Sequence, residues 1–113
     1  MISNNILNDL TFNESKPNIK VLFESSFSKE IRILLKENQV MKEHKTPYPI
    51  VVEVFDGSVD FGVQGEIHNL LKGDILTLEG NIPHDLKATS DCIIRLSLSK
   101  LDSVNRVKGV LKL

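Results

Sequence analysis

A single cysteine, Cys92, is all the thiol the chain carries. No intrachain disulfide can form, and a reducing compartment, the cytoplasm, is the expected address. Cys92 opens an apolar run and reads as a packed core thiol. No stretch approaches the roughly 20 apolar residues needed to cross a bilayer. The N-terminal MISNNILNDL has neither a basic n-region nor a continuous apolar core, so no secretory signal is expected there. Charge of one sign is missing as well: 14 basic against 15 acidic side chains leave a formal net charge of −1. That balance argues against nucleic acid as a partner, and the lack of any like-charge block argues against a polybasic membrane patch. There is no glycine-rich phosphate loop, no Gly-x-Ser-x-Gly elbow and no His-Glu-x-x-His pair.

What is present is a succession of short strand-like runs. At 113 residues the chain is expected to form one domain with one core. Residues 1–18 are polar and asparagine-rich, with Ile2, Ile6, Leu7 and Leu10 scattered among them. They read as a weakly structured arm with one helical turn, closed by Pro17 and Asn18. From Ile19 the runs IKVLF, KEIRILL and QVMKEH follow, with a turn at Glu37-Asn38. IVVEVF is the strongest strand signal, and Asp56-Gly57 after it predicts a tight hairpin into SVDFGV. Gln64-Gly65 predicts a second hairpin into EIHNLL, and Lys72-Gly73 a third turn before DILTLE. Gly80 to Pro83 turns the chain again, His84 to Ala88 returns it, and CIIRLSLS closes the series. About nine short strands broken by glycine turns predict an all-β antiparallel sandwich or barrel. Beyond it, residues 101–113 begin with Asp102-Ser103, a fair N-cap, and carry Arg106 and Lys108 near the far end. A short capping helix or a tail is expected there.

Residues 43–57, EHKTPYPIVVEVFDG, and residues 65–86, GEIHNLLKGDILTLEGNIPHDL, resemble the two motifs of the small single-domain cupins. His44 matches the first histidine of the first motif and Gly57 its closing glycine. Gly73-Asp74 matches the opening of the second motif, and Pro83-His84 its end. The resemblance implies a jelly-roll (double-stranded β-helix) barrel over residues 19–100, with short terminal extensions. In metal-loaded members the first motif supplies two histidines and a glutamate, and the second supplies one more histidine. Here Thr46 stands at the second histidine and Ile50 near the glutamate, so His44 and His84 alone remain of that set.

Two imidazoles alone hold a divalent ion weakly, because such sites take three or four protein ligands. Glu79, five residues before His84, is the candidate to complete a weak zinc, iron, manganese or nickel site. The plainer alternative makes Glu79 a solvated carboxylate and the histidines a hydrogen-bonded pair without metal. His68 reads as a surface or satisfied histidine. Glu43 is expected to face away from His44, and Glu53 away from the pocket and toward a subunit contact. Strand alternation would place Thr46 beside His44, where its hydroxyl joins the pocket, and Tyr48 is expected to line the entrance. The expected function is that of a small cupin binding a small molecule around His44, Thr46, Tyr48 and His84. The alternative is a metal-dependent cupin enzyme of isomerase or oxygenase type, and whether the chain is an enzyme stays open. A homodimer is expected through the outward strand face bearing Val51 and Phe55 beside Glu53.

Overall fold

The computed structural model describes residues 1–100, and these form nine strands and no helix. In chain order they are β1 (Asn18–Glu24), β2 (Ser28–Leu35), β3 (Val40–His44), β4 (Ile50–Asp56), β5 (Ser58–Val63), β6 (Glu66–Leu71), β7 (Ile75–Leu78), β8 (His84–Ala88) and β9 (Cys92–Ser99). The helix or tail expected over 101–113 lies outside the described residues. Among the described residues no helix is long and apolar enough to cross a membrane.

The strands build two antiparallel sheets, ordered β1-β2-β9-β4-β7 and β3-β8-β5-β6. Consecutive strands therefore alternate between the sheets along much of the chain, which is the jelly-roll arrangement expected above. Alternation within each strand decides what faces inward. In β4, Ile50, Val52 and Val54 are buried, while Val51 and Glu53 between them are only partly covered. Ile33 and Leu35 of β2, Val59 and Phe61 of β5, and Ile94 of β9 meet them between the sheets. Burying each such side chain stabilises the fold by about 1.5–3 kcal/mol.

One turn departs from expectation. Asp56-Gly57 does not close a hairpin, because β4 pairs with β7 and β9 while β5 pairs with β6 and β8. Gly57 does take the positive φ, 83°, but uses it to carry the chain from one sheet to the other. A Cβ at Gly57 would run into the Asp91 carbonyl and Cys92, so the corner also needs glycine for room. A turn dipeptide reverses the chain without choosing its partner, and both flanks of β4 are already filled. Gln64-Gly65, by contrast, joins β5 to β6 as a true hairpin, with both residues at positive φ (52° and 78°).

The arm also differs from its sequence reading. Its one turn falls at residues 6–9, but the arm is tied down, because its carbonyls serve as acceptors. Arg32 of β2, 1% exposed, donates to the carbonyls of Ile6 (2.9 Å), Asn8 and Asp9 (3.1 Å). The arm is thereby strapped over the outer face of the five-stranded sheet. On the same face Arg95 donates to Glu53 (2.8 Å) and Glu30 (2.9 Å), and Ser97 donates to Glu30. Glu53 does face away from the barrel interior, and its carboxylate is committed to Arg95 within the chain.

Candidate functional site

Two short strands bring the histidines together. β3 ends at His44 and β8 begins at His84, just after Pro83, and the antiparallel register sets the two residues directly opposite each other. Their rings lie 4.4 Å apart between centroids at an interplanar angle of 61°. His84 also stacks on Phe61 of β5, 5.6 Å away and nearly parallel. His84 is 5% exposed, whereas His44 is exposed. The pair thus runs from the barrel interior to its mouth.

Each ring is oriented by its own backbone. His44 Nδ1 lies 2.7 Å from the Lys42 carbonyl and His84 Nδ1 lies 2.9 Å from the Ile82 carbonyl. A carbonyl only accepts, so each Nδ1 carries the hydrogen; in the neutral ring Nε2 is then the acceptor. Among the described residues neither Nε2 has a protein partner. The cavity they border is otherwise apolar, walled by Ile33, Met41, Val52, Phe61, Leu86, Ile94 and Leu96. Its volume of about 20 Å³ admits roughly one water molecule.

The other nominated residues fall elsewhere. Because β3 stops at His44, the alternation that would have set Thr46 beside it does not continue. The Thr46 hydroxyl instead donates to the Tyr48 carbonyl (2.8 Å), and its own carbonyl accepts from Asn81 N (2.6 Å). Thr46 and Tyr48 line a separate surface groove of about 450 Å³ with Glu24, Lys29, Leu98 and Lys100. Ile50 is a core residue, 3% exposed. Glu79 is exposed and does not border the histidine cavity. His68 lies on β6, 3.6 Å from the Glu66 carboxylate, and Glu43 turns to the opposite face, toward Gly62 and Asp85.

This donor set does not fit a resident metal ion. Among the described residues no three histidine, cysteine, aspartate or glutamate side chains gather closely enough to hold one. Two neutral imidazoles in an apolar wall would leave a divalent charge uncompensated. Phe61 and Met41, which shape the cavity, had no functional reading in the sequence. The signal for Phe61 was its parity with Val59 and Val63. Cys92, 1% exposed, stands apart from the site; burial, helped by the Asp91 charge, pushes its thiol up to about 11.

The same architecture recurs in solved structures. An RmlC-like cupin from Desulfovibrio desulfuricans superposes with a TM-score of 0.80 at 20% identity, covering 88% of this chain and 96% of that one. A cupin superfamily protein from Desulfitobacterium hafniense gives 0.74 at 10% identity over 80% and 83% of the two chains. An RmlC-like cupin from Shewanella frigidimarina gives 0.70 at 16% identity over 93% and 99%. No curated protein matches the chain. The family model described as AraC-like ligand binding domain matches residues 30–103, a span that runs from β2 through β9 and includes both histidines. The chain has the cupin-type fold and belongs to the AraC-like ligand-binding domain family.

Proposed function

We propose that this domain binds a small molecule at the His44–His84 end of the barrel, through hydroxyl or amine donors directed at the two Nε2 atoms. The observation that carries this is the oriented pair itself. Both Nδ1 atoms are tied to carbonyls, and among the described residues nothing in the chain answers either Nε2, which in the neutral ring accepts a hydrogen bond. Membership of a ligand-binding domain family supports the same direction. A cavity of about 20 Å³ is far below the roughly 300 Å³ at which pockets enclose drug-sized ligands. The ligand therefore seats at the mouth, against exposed His44, and enters further only as side chains move. Met41 is the wall residue best suited to give way, being unbranched and rotatable at three bonds. The chain's buried lone thiol fits the cytoplasm as the place where this happens.

Isothermal titration of metal-free protein with a panel of sugars, polyols, amines and carboxylic acids tests the proposal. Saturable binding is expected, lost in His84→Ala and weakened in His44→Ala. Silence across the whole panel, or binding indifferent to both substitutions, would overturn it.

A further inference from the structure

Among the described residues four strands end a sheet: β1 and β7 in one, β3 and β6 in the other. An open strand edge is a template for another chain, and proteins blunt such edges by bulges, charge or shortness. Three of the four are blunted here. β1 shifts register between Val21 and Phe23, and the Asn4 side chain caps its Leu22 carbonyl. β3 shifts register between Met41 and His44 and carries Lys42 and Glu43. β7 has only four residues. β6 differs. It has six residues with no proline or lysine, pairs with β5 without a shift from Glu66 to Leu71, and among the described residues pairs on that side alone. On the face turned from the core it presents Ile67, 75% exposed, and Leu71, 57% exposed, with Asn69 between them.

We propose that β6 pairs antiparallel with β6 of a second copy, about a two-fold axis at Asn69, joining two four-stranded sheets into one of eight strands. A two-fold normal to the sheet keeps outward residues opposite outward residues. Centred on Asn69, it sets Ile67 opposite the partner's Leu71 and Glu66 opposite the partner's Lys72, each pair occurring twice. Centred one residue either way, it sets Leu71 or Ile67 opposite a glycine, Gly65 or Gly73, and both matches are lost. Apolar and charge complementarity therefore select the same register. Glu66 and Lys72 are exposed enough to serve it: their side chains are 77% and 75% exposed, and their contacts within the chain are long, 3.6 Å to His68 and 3.8 Å to Asp56. A six-residue edge is smaller than the roughly 800 Å² per partner of a standard interface, so the dimer dissociates in the micromolar range.

Sedimentation equilibrium of the full chain over about 1–500 µM brackets such a constant. A reversible monomer–dimer equilibrium is expected. Glu66→Lys and Lys72→Glu should each weaken it roughly tenfold, since like charges would then oppose each other twice. The double variant should restore it, and Leu71→Lys should abolish it, with circular dichroism showing each variant folded. A monomer at every concentration would overturn the proposal, as would a dimer indifferent to the charge reversals. So would a dimer lost instead in Val51→Lys, which would move the contact to the outer face of the five-stranded sheet.

Discussion

The outer face of the five-stranded sheet and the histidine mouth of the barrel both carry polar side chains next to the apolar core, and they treat them oppositely. On the outer face the buried and half-buried charges are answered from within the chain. Arg32 has three arm carbonyls, and Arg95 has Glu30 and Glu53. Among the described residues the Arg32 Nε is the one buried side-chain nitrogen or oxygen left without a partner. At the mouth, the chain orients two imidazoles with backbone carbonyls, and among the described residues both Nε2 atoms go unanswered. Groups satisfied internally hold a fold together, and groups oriented but unsatisfied are available to a ligand. The contrast therefore predicts large stability effects on the outer face and large binding effects with small stability effects at the mouth.

Arg32 should show the largest stability effect. Arg32→Ala removes three charge-assisted hydrogen bonds and opens a hole beneath the arm, and it should cost about 3 kcal/mol in urea unfolding. Arg32→Met, which fills the volume without a buried charge, should cost less than half of that, because a buried cation facing only neutral carbonyls is itself expensive. Limited proteolysis should cut the arm faster in both. An alanine variant within about 0.5 kcal/mol of the parent would mean the strap holds nothing, and the comparison would break at its stronger end.

Arg95→Ala comes next. It leaves Glu30, whose side chain is 13% exposed, without its guanidinium. The Arg95 side chain is a third exposed and partly screened, so about 1 kcal/mol is expected, shrinking in high salt. At the mouth the order inverts. His44→Ala should change stability by less than about 0.5 kcal/mol, as for an exposed residue, while weakening the ligand proposed above. Protein purified without chelator should carry well under one divalent ion per chain by elemental analysis. A stoichiometric metal lost in His44→Ala would show that the mouth is answered after all, by an ion.

Much of this was legible beforehand, for reasons that also mark where legibility ended. β-branched alternation and positive-φ turn dipeptides are local signals, so nine strands and the Gln64-Gly65 hairpin followed directly. That His44 faces His84 depends on register between distant strands, and only the family resemblance supplied it. Asp56-Gly57 misled because a turn signal carries no information on which strand pairs with which. Thr46 was set beside His44 by an alternation that does not extend past the last residue of β3. Arg32 escaped notice because its partners are backbone carbonyls, which every sequence offers equally. Phe61 was visible as an inward residue, but nothing in its neighbours marked it as the wall on which His84 stacks.

The smallest expected effect tests whether the end of the barrel near Cys92 is as closed as it looks. Burial first, and then the charge of Asp91, raise the Cys92 thiol from 9.0 to about 11. In the fold the neutral thiol is favoured, whereas the unfolded chain ionises at the lower value. The resulting stability is fully present below about pH 9, declines as pH rises toward about 11, and changes no further beyond it. Cys92→Ala should flatten that part of the stability profile while leaving contributions from other groups common to both proteins. A disulfide reagent near neutral pH should leave native Cys92 unmodified and label it fully in denaturant, because the thiolate, not the thiol, is the attacking form. Rapid labelling of the native chain would mean that the corner at Gly57, packed against Asp91 and Cys92, opens readily. Tight packing would then no longer set this end of the barrel apart from the histidine mouth.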